Sequence, residues 1–367
     1  MPSILIIGAG LSGCVLAEHY ARKGYSVTVY EKRSHIAGNC YDFRDSQGIL
    51  INQYGPHIFH TNSERVWAYI NQFSKWIPWN HKCYGVYKDK YFPIPMNITT
   101  VNTIYGVNLK TGDEMREFLS TRCTPSTNPD NSKELALSRF GKELYETVIE
   151  GYTTKQWNQD PSELDASVVN RIPIRYSFEE AYFSDKYQAL PEKGYTEFCR
   201  TLLSHPSIEV KLSTDFTKEN VDRSHYEKIF YTGPIDAYFK ESGLPQLEYR
   251  SLRFEMEQHD MEWYQNNSTV NYTDKDVPYT RIVEYKHFLN HPSSNKTTIV
   301  REYPSTEGEP YYPIPNKKNQ EVYEQYKQLA EKEERNQVYF VGRLANYKYF
   351  NMDDTILNAL ELLDRIA

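Results

Sequence analysis

From Ser3 to Ile7 the chain is almost continuously apolar, the pattern of a strand buried on both faces. A glycine-rich turn follows, then an amphipathic helical pattern from about Leu11 to Lys23 and a second strand that ends at Glu31. These elements predict a βαβ unit. The same α/β patterning returns late in the chain, at Lys228 to Tyr231 and at Gln337 to Leu344, a strand ending in Gly342-Arg343. A last helix is expected from about Asp354 to Ala367, with Ile356, Leu357, Leu360, Leu363 and Ile366 on its apolar face and Asp353 or Asp354 as N-cap. The α/β unit is therefore read as discontinuous, assembled from both chain ends.

Two other patterns lie between. From roughly Thr100 to Asp165 the residues Leu137, Phe140, Leu144 and Val148 recur at helical spacing, with a helix capped near Ser132 after the Pro/Ser/Asn loop Thr124 to Glu134. From about Leu247 to Pro313, β-branched and aromatic residues dominate, as in NSTVNYT and TTIVREY, and predict an antiparallel sheet. No internal repeat is apparent.

Gly8, Gly10 and Gly13 have the G-x-G-x-x-G spacing between the first strand and the helix. Such glycines permit a tight turn, approach of backbone to a pyrophosphate, and close helix-strand packing, with phosphates on the helix N-terminus at Leu11 and Ser12. Glu31 follows Gly13 by 18 residues, where a carboxylate can accept hydrogen bonds from ribose hydroxyls. The combination of strand, glycines, helix, strand and acid is far more specific than a glycine triplet. Lys32 then begins the stretch KRSHIAGNC, whose Gly38 and Asn39 resemble the extended fingerprint of FAD proteins of the glutathione-reductase and amine-oxidase classes. Ala37 replaces the first of two glycines there, which costs energy if that position needs a positive φ.

The expected fold class is thus α/β: a discontinuous Rossmann-like FAD-binding domain with an inserted helical domain and an inserted antiparallel β-sheet domain. The boundaries are 1–80, 190–246 and 314–367 for the first. The helical domain is 96–167, with a mobile substrate loop near 153–171, and the sheet domain is 81–95, 168–189 and 247–313.

A net charge of −7 without any run of five or six like charges argues against a nucleic-acid surface or a polybasic membrane surface. Cys14, Cys40, Cys83, Cys123 and Cys199 are scattered and include no C-x-x-C pair, so neither a disulfide framework nor a zinc site is favoured. MPSILIIGAG has no basic leader region or cleavage site, and no apolar run approaches the roughly 18 residues of a bilayer span. The expectation is a soluble, cytoplasmic protein, in which the sequons at Asn97 and Asn271 are chance matches. Tyr accounts for 32 of 367 residues, which suits a polar ligand pocket and an amphipathic surface equally well.

Four further stretches resemble prokaryotic UDP-galactopyranose mutase: YGPHIFHT (Tyr54 to Thr61), GYTTKQW (Gly151 to Trp157), VPYTRIVEYKHF (Val277 to Phe288) and GRLANYKYFNMD (Gly342 to Asp353). VVNRIPIRYSFEEAYF and EPYYPI follow in family order. The resemblance implies a reduced FAD and interconversion of UDP-galactopyranose with UDP-galactofuranose without net redox change, in the supply of galactofuranose for cell-surface glycans. In that chemistry flavin N5 attacks sugar C1, UDP leaves, and the ring opens through an iminium and recloses through O4. A side-chain nucleophile with a nearby base would be the ordinary alternative, and no such constellation stands out.

By the same resemblance Arg171 and Arg281 hold the diphosphate, joined by Tyr182, Tyr312, Tyr347 and Tyr349. Tyr152, Thr153 and Trp157 serve the uridine end and the closing loop, with Asn271 as a nucleotide-side contact. Val148 and Ile149 leave open which ring completes the uracil site. Arg343 faces the flavin, with Tyr349, Met352 and Asp353 near its ring. His57 and His60 flank Ile58 in YGPHIFHT, where no H-E-x-x-H or third ligand suggests a metal. They are read as a wall beside the flavin, His60 nearest its reacting nitrogen and His57 supporting it.

Expected partners are a UDP-sugar and an external electron donor, and the family's frequent dimerisation makes a homodimer an expectation. Competing readings are an FAD-dependent oxidoreductase of the amine-oxidase or desaturase type, a UDP-sugar-binding module with a structural flavin, and an NAD dehydrogenase. Another UDP-hexopyranose, such as UDP-N-acetylgalactosamine, is an alternative substrate.

Overall fold

Five parallel strands in the order Ile208–Lys211, Ser26–Tyr30, Ser3–Ile7, Lys228–Tyr231 and Val338–Phe340 form the sheet that the two chain ends share. The computed structural model describes residues 2–170, 172–219, 221–289 and 294–367. The near-continuous apolar runs have the expected cause, since side chains of Ser3–Ile7 are buried on both faces. Ile4 and Ile6 pack with Val15, Leu16, Ile356 and Ala359 of the two flanking helices, while Leu5 and Ile7 meet Ile229, Tyr231 and Val338 on the other face. The helix Leu11–Arg22 starts immediately after Gly10, which points its N-terminus at the sheet's carboxyl edge.

The last helix begins two residues before the expected position. It runs Met352–Arg365 with Asn351 as N-cap, and Asp354 reaches back to accept a hydrogen bond from Asn351 N at 3.1 Å. The reciprocal contact explains why Asp354 lies inside the first turn.

A seven-stranded sheet has the order Tyr312–Pro313, Tyr249–His259, Thr297–Ser305, Arg281–Glu284, Thr269–Tyr272, Cys83–Tyr87 and Lys90–Ile94. It is mixed rather than antiparallel, because Thr269–Tyr272 pairs in parallel with Cys83–Tyr87. Those two strands come from separate hairpins, so no tight turn dictates their relative direction. A second correction concerns the stretch 168–189. Tyr187–Pro191 pairs with Phe59–Thr61 and Trp76–Pro78 in a small antiparallel sheet of its own. Ile174 and Ala181 touch the large sheet region through the bridges Met96–Ile174 and Lys82–Ala181.

In the helical region Phe140, Leu144 and Val148 are buried together, with Leu137 partly covered. They do not share one helix. Gly141, at φ +79°, ends Ser132–Phe140, and a π-helical turn at Tyr145–Glu150 precedes the helix Gly151–Trp157. Asn131, one residue before the expected cap, accepts from Glu134 N at 2.9 Å. The segment after Trp157 is docked here: Ser132 N donates to Leu164 O at 2.9 Å and Lys133 N to Pro161 O at 3.1 Å.

Candidate functional site

A cleft of about 340 Å³ runs along the carboxyl edge of the parallel sheet. That volume is at the lower end of the roughly 300–1,000 Å³ of an ordinary small-molecule pocket, and the cleft continues into open solvent. Gly8, Gly10, Leu11, Ser12, Glu31, Lys32, Gly38, Asn39, His57, Arg343 and Met352 line it. A Cβ on Gly8 would lie 2.1 Å from Thr232 Oγ1, and one on Gly38 would lie 3.0 Å from Gly10 Cα. These absent side chains leave a backbone cradle suited to a pyrophosphate. Gly13 does not line the cleft; a Cβ there would strike Gly8 O at 1.9 Å, so it sets the closeness of helix to strand. Ala37 does sit at φ +72°, and its left-handed backbone costs roughly 1–2 kcal/mol relative to glycine.

Glu31 accepts from Ala9 N at 2.8 Å and from Arg33 N at 2.9 Å, one bond to each carboxylate oxygen. Each oxygen keeps a further lone pair for a ribose hydroxyl. Asn39 accepts from Arg33 at 3.0 Å, and Lys32 pairs with Glu309 at 2.5 Å across the cleft mouth. Ile58 is buried and is not among the residues that line the cleft. His57 is held by Gly55 O at 2.8 Å, and burial lowers its pKa to about 4.

A second constellation stands on the large sheet. Arg281 donates through Nη2 to Tyr152 Oη at 2.7 Å and pairs through Nε with Glu302 Oε2 at 3.2 Å. Asn271 and Glu302 are its register partners on the two neighbouring strands. Burial works against the guanidinium's charge, but Glu302 and Tyr152 outweigh it and hold the pKa above the usual arginine value. Glu302 is only 2% exposed, and burial raises its pKa against the pull of Arg281. Its Oε1 and Asn271 Oδ1 are buried and have no hydrogen-bond partner among the described residues. A Cβ on Gly55 would meet Glu302 Oε1 at 3.0 Å, which places the YGPH turn against this ion pair.

Arg343 joins the two constellations. Its Nε donates to Phe350 O at 2.9 Å, and its guanidinium carbon lies 5.7 Å from the Tyr312 ring centre and 5.3 Å from that of Tyr349. Those tyrosines stack at 5.2 Å, and Tyr312 lies within electrostatic reach of both Arg281 and Arg343. His60 hydrogen-bonds Asp185 at 3.0 Å and stacks on Phe183 at 3.8 Å. Asp353 is half-buried, bonded to Thr61 and within electrostatic reach of His60, and burial raises its pKa. Tyr182 is exposed and meets His81 edge-on at 5.7 Å.

Three residues expected to contact substrate are buried within the chain's own packing. Tyr347, 8% exposed, accepts from Ile314 N at 3.1 Å and donates to Glu248 O, in a core with Val322 and Tyr326. Its hydroxyl secures the strand ends and does not face the arginines. Trp157, 3% exposed, packs against Leu164 and Val168, and Thr153 is buried as well. Arg171 lies outside the described residues.

His81 carries no motif in the sequence. It is 4% exposed, packed between Phe183 and Phe288, with Nδ1 unpartnered among the described residues. Burial, then Arg281, then His60 push its pKa down to about 3. Arg33 and the loop Thr214 to Thr217 also line the cleft without a recognisable signature.

A family model described as UDP-galactopyranose mutase matches residues 147–349, and one for an NAD(P)-binding Rossmann-like domain matches residues 6–73. A probable UDP-galactopyranose mutase of Klebsiella pneumoniae is 39% identical over 367 residues, covering 99% of this chain and 94% of that protein. The chain belongs to the UDP-galactopyranose mutase family. As a member of this mutase family it is an isomerase. The mutase family chain is also 36% identical to a dTDP-fucopyranose mutase of Escherichia coli, over 98% of this chain and 97% of that one. A crystal structure of a reduced UDP-galactopyranose mutase shares the fold, with a TM-score of 0.80 and 16% identity over 100% of this chain and 95% of that one.

Proposed function

We propose that this mutase family member interconverts UDP-galactopyranose and UDP-galactofuranose with a bound FAD that acts in its reduced form. The observation that carries the reading is the convergence of a braced, partly buried Arg281 and the cleft-lining Arg343 on Tyr312, beside a dinucleotide cradle. Gly8, Gly10, Gly38, Glu31 and Arg343 would hold the flavin, which, when reduced, would supply a nucleophilic nitrogen for sugar C1.

The chain's own residues do the rest. Arg281, kept cationic by Glu302 and oriented by Tyr152, stabilises the departing diphosphate, and a planar fork suits that role better than a point charge. Tyr312, Tyr349 and Tyr182 add hydroxyl donors. Arg343 supplies fixed positive charge beside an anionic ring, and Met352 and Asp353 open a helix whose N-terminus reinforces it. His60, held by Asp185, and His57, which lines the cleft, would form a wall of the flavin site. Asn271 offers its unpartnered oxygen to the nucleotide. Arg171 enters by the resemblance of its motif alone.

We divide the chain into the dinucleotide unit, the helical region and the large sheet, and we take the site to lie between them. The five cysteines are free, which suits a reducing cytoplasm. Reduction requires an external donor, and dimerisation remains part of the proposal. Provision of galactofuranose for cell-surface glycans is the expected role of the product.

The dTDP-fucopyranose mutase relative supports a second reading, in which another nucleotide and a 6-deoxy sugar are accepted. Reduced, flavin-loaded protein incubated separately with UDP-galactopyranose, UDP-N-acetylgalactosamine and dTDP-fucopyranose decides between them by chromatography. A furanose isomer from UDP-galactopyranose is expected, and an isomer from dTDP-fucopyranose alone would replace the first reading with the second.

A further inference from the structure

Lys155, in the helix Gly151–Trp157, has no carboxylate partner among its hydrogen bonds. Its Nζ instead lies within hydrogen-bond distance of four backbone carbonyls, Tyr272 O at 2.7 Å, Asp274 O at 2.8 Å, and Val277 O and Tyr279 O each at 2.9 Å, which share its three N–H groups. All four belong to the end of the Asn271 strand or to the loop that leads into Arg281. Asp274 O also accepts from Val277 N at 3.3 Å, but the ammonium is the one group that draws all four carbonyls to a single point, so it fixes the shape of the loop.

The same helix is clamped elsewhere. A Cβ on Gly151 would lie 2.2 Å from Thr273 O, and Arg250 Nε donates to Gln156 O at 2.9 Å, occupying a carbonyl at the helix C-terminus. One turn away from Lys155, Tyr152 Oη meets Arg281. The ammonium therefore ties the helix that presents Tyr152 to the hairpin that presents Asn271 and Arg281.

We propose that Lys155 is a positioning residue for the nucleotide-sugar site, a tethered cation in a four-carbonyl ring that holds Tyr152 in register with Arg281. The inference rests on the assignment of Arg281 to the diphosphate. The ring has a second consequence. Convergent carbonyls replace the hydration shell of potassium in proteins that select it, so truncation of the lysine leaves oxygens arranged for a free monovalent cation.

The test is calorimetric titration of UDP into flavin-loaded protein, wild type against Lys155→Met, in potassium chloride and in choline chloride. In choline the variant is expected to bind UDP about tenfold more weakly, a loss of about 1.4 kcal/mol. Potassium should restore most of that loss, with no effect on wild type. Tyr152→Phe should weaken UDP binding by itself, and the double variant should lose little more than the larger single loss, because both act through one contact. If Lys155→Met fails to fold, Lys155→Arg keeps the charge but misplaces its donors in the ring, and the same weakening is expected of it. Unchanged UDP affinity in a folded variant, additive losses in the double variant, or equal affinity in potassium and choline would overturn the inference. Failure of the wild type to bind UDP would instead remove the functional reading beneath it.

Discussion

Replacing His81 by glutamine should flatten the acid side of the protein's stability profile. The imidazole is buried between two phenylalanines, near Arg281, and its pKa is pushed down to about 3. In the unfolded chain the ring titrates near 6.5. Because the folded pKa is depressed, the unfolded state binds more protons between those values, and stability falls as the pH drops through the unfolded pKa. At pH 5 the unfolded ring is almost fully protonated and the folded ring almost fully neutral, so the loss relative to pH 8 is about 2 kcal/mol. His57, lowered to about 4, contributes with the same sign, whereas Asp353, raised by burial, opposes it. Those terms are common to both proteins and cancel in the comparison. Urea unfolding of flavin-loaded wild type and His81→Gln at pH 8, 6.5 and 5 reads the difference directly. The gap between the two should shift by about 2 kcal/mol in favour of the variant on going from pH 8 to pH 5. Parallel profiles over that range would refute the placement of a neutral His81 in the fold.

Arg281→Lys should weaken UDP binding by roughly 30-fold or more, about 2 kcal/mol, because one ammonium cannot serve Tyr152, Glu302 and a phosphate at once; calorimetry checks it. Gly13→Ala, whose methyl would collide with Gly8 O, should give protein that purifies with little flavin absorbance and a lowered melting temperature. Tyr347→Phe should cost about 1 kcal/mol in urea unfolding and leave UDP affinity unchanged, since its hydroxyl is bonded to Glu248 and Ile314.

The parallel sheet was readable where its strands are buried on both faces, as at Ser3–Ile7 and Lys228–Tyr231, which writes itself as an apolar run, whereas the edge strand Ile208–Lys211 is alternately exposed and leaves no such run. The cradle was readable because Gly8 and Gly38 mark places where a Cβ meets a close neighbour at a positive φ. Arg281, Tyr152, Tyr312 and Arg343 were reachable through motif order, and the structure brings them together. Tyr347 and Tyr349 show the limit of a motif. They are two residues apart, but Tyr347 sits at φ +42°, and the chain turns its ring into the core while Tyr349 stacks on Tyr312. Trp157 illustrates the same ambiguity, since an aromatic ring at a helix end suits a ligand face or a core equally. The parallel pairing of Thr269–Tyr272 with Cys83–Tyr87, and the burial of His81 beside it, depend on contacts between segments far apart in sequence. Local periodicity carries no trace of such register. Lys155 stood inside a recognised motif, yet its four carbonyl partners exist only once the hairpin has closed around it.

The central claim is that reduced flavin, an arginine-braced diphosphate and no net electron transfer act together in one site. Dithionite-reduced protein supplied with UDP-galactopyranose under anaerobic conditions, with product separation and flavin absorbance followed in parallel, tests it most directly. The account predicts many turnovers to a furanose isomer while the flavin stays reduced and no electron acceptor is consumed. Absence of the isomer, or product formed only in proportion to electrons consumed, would contradict it.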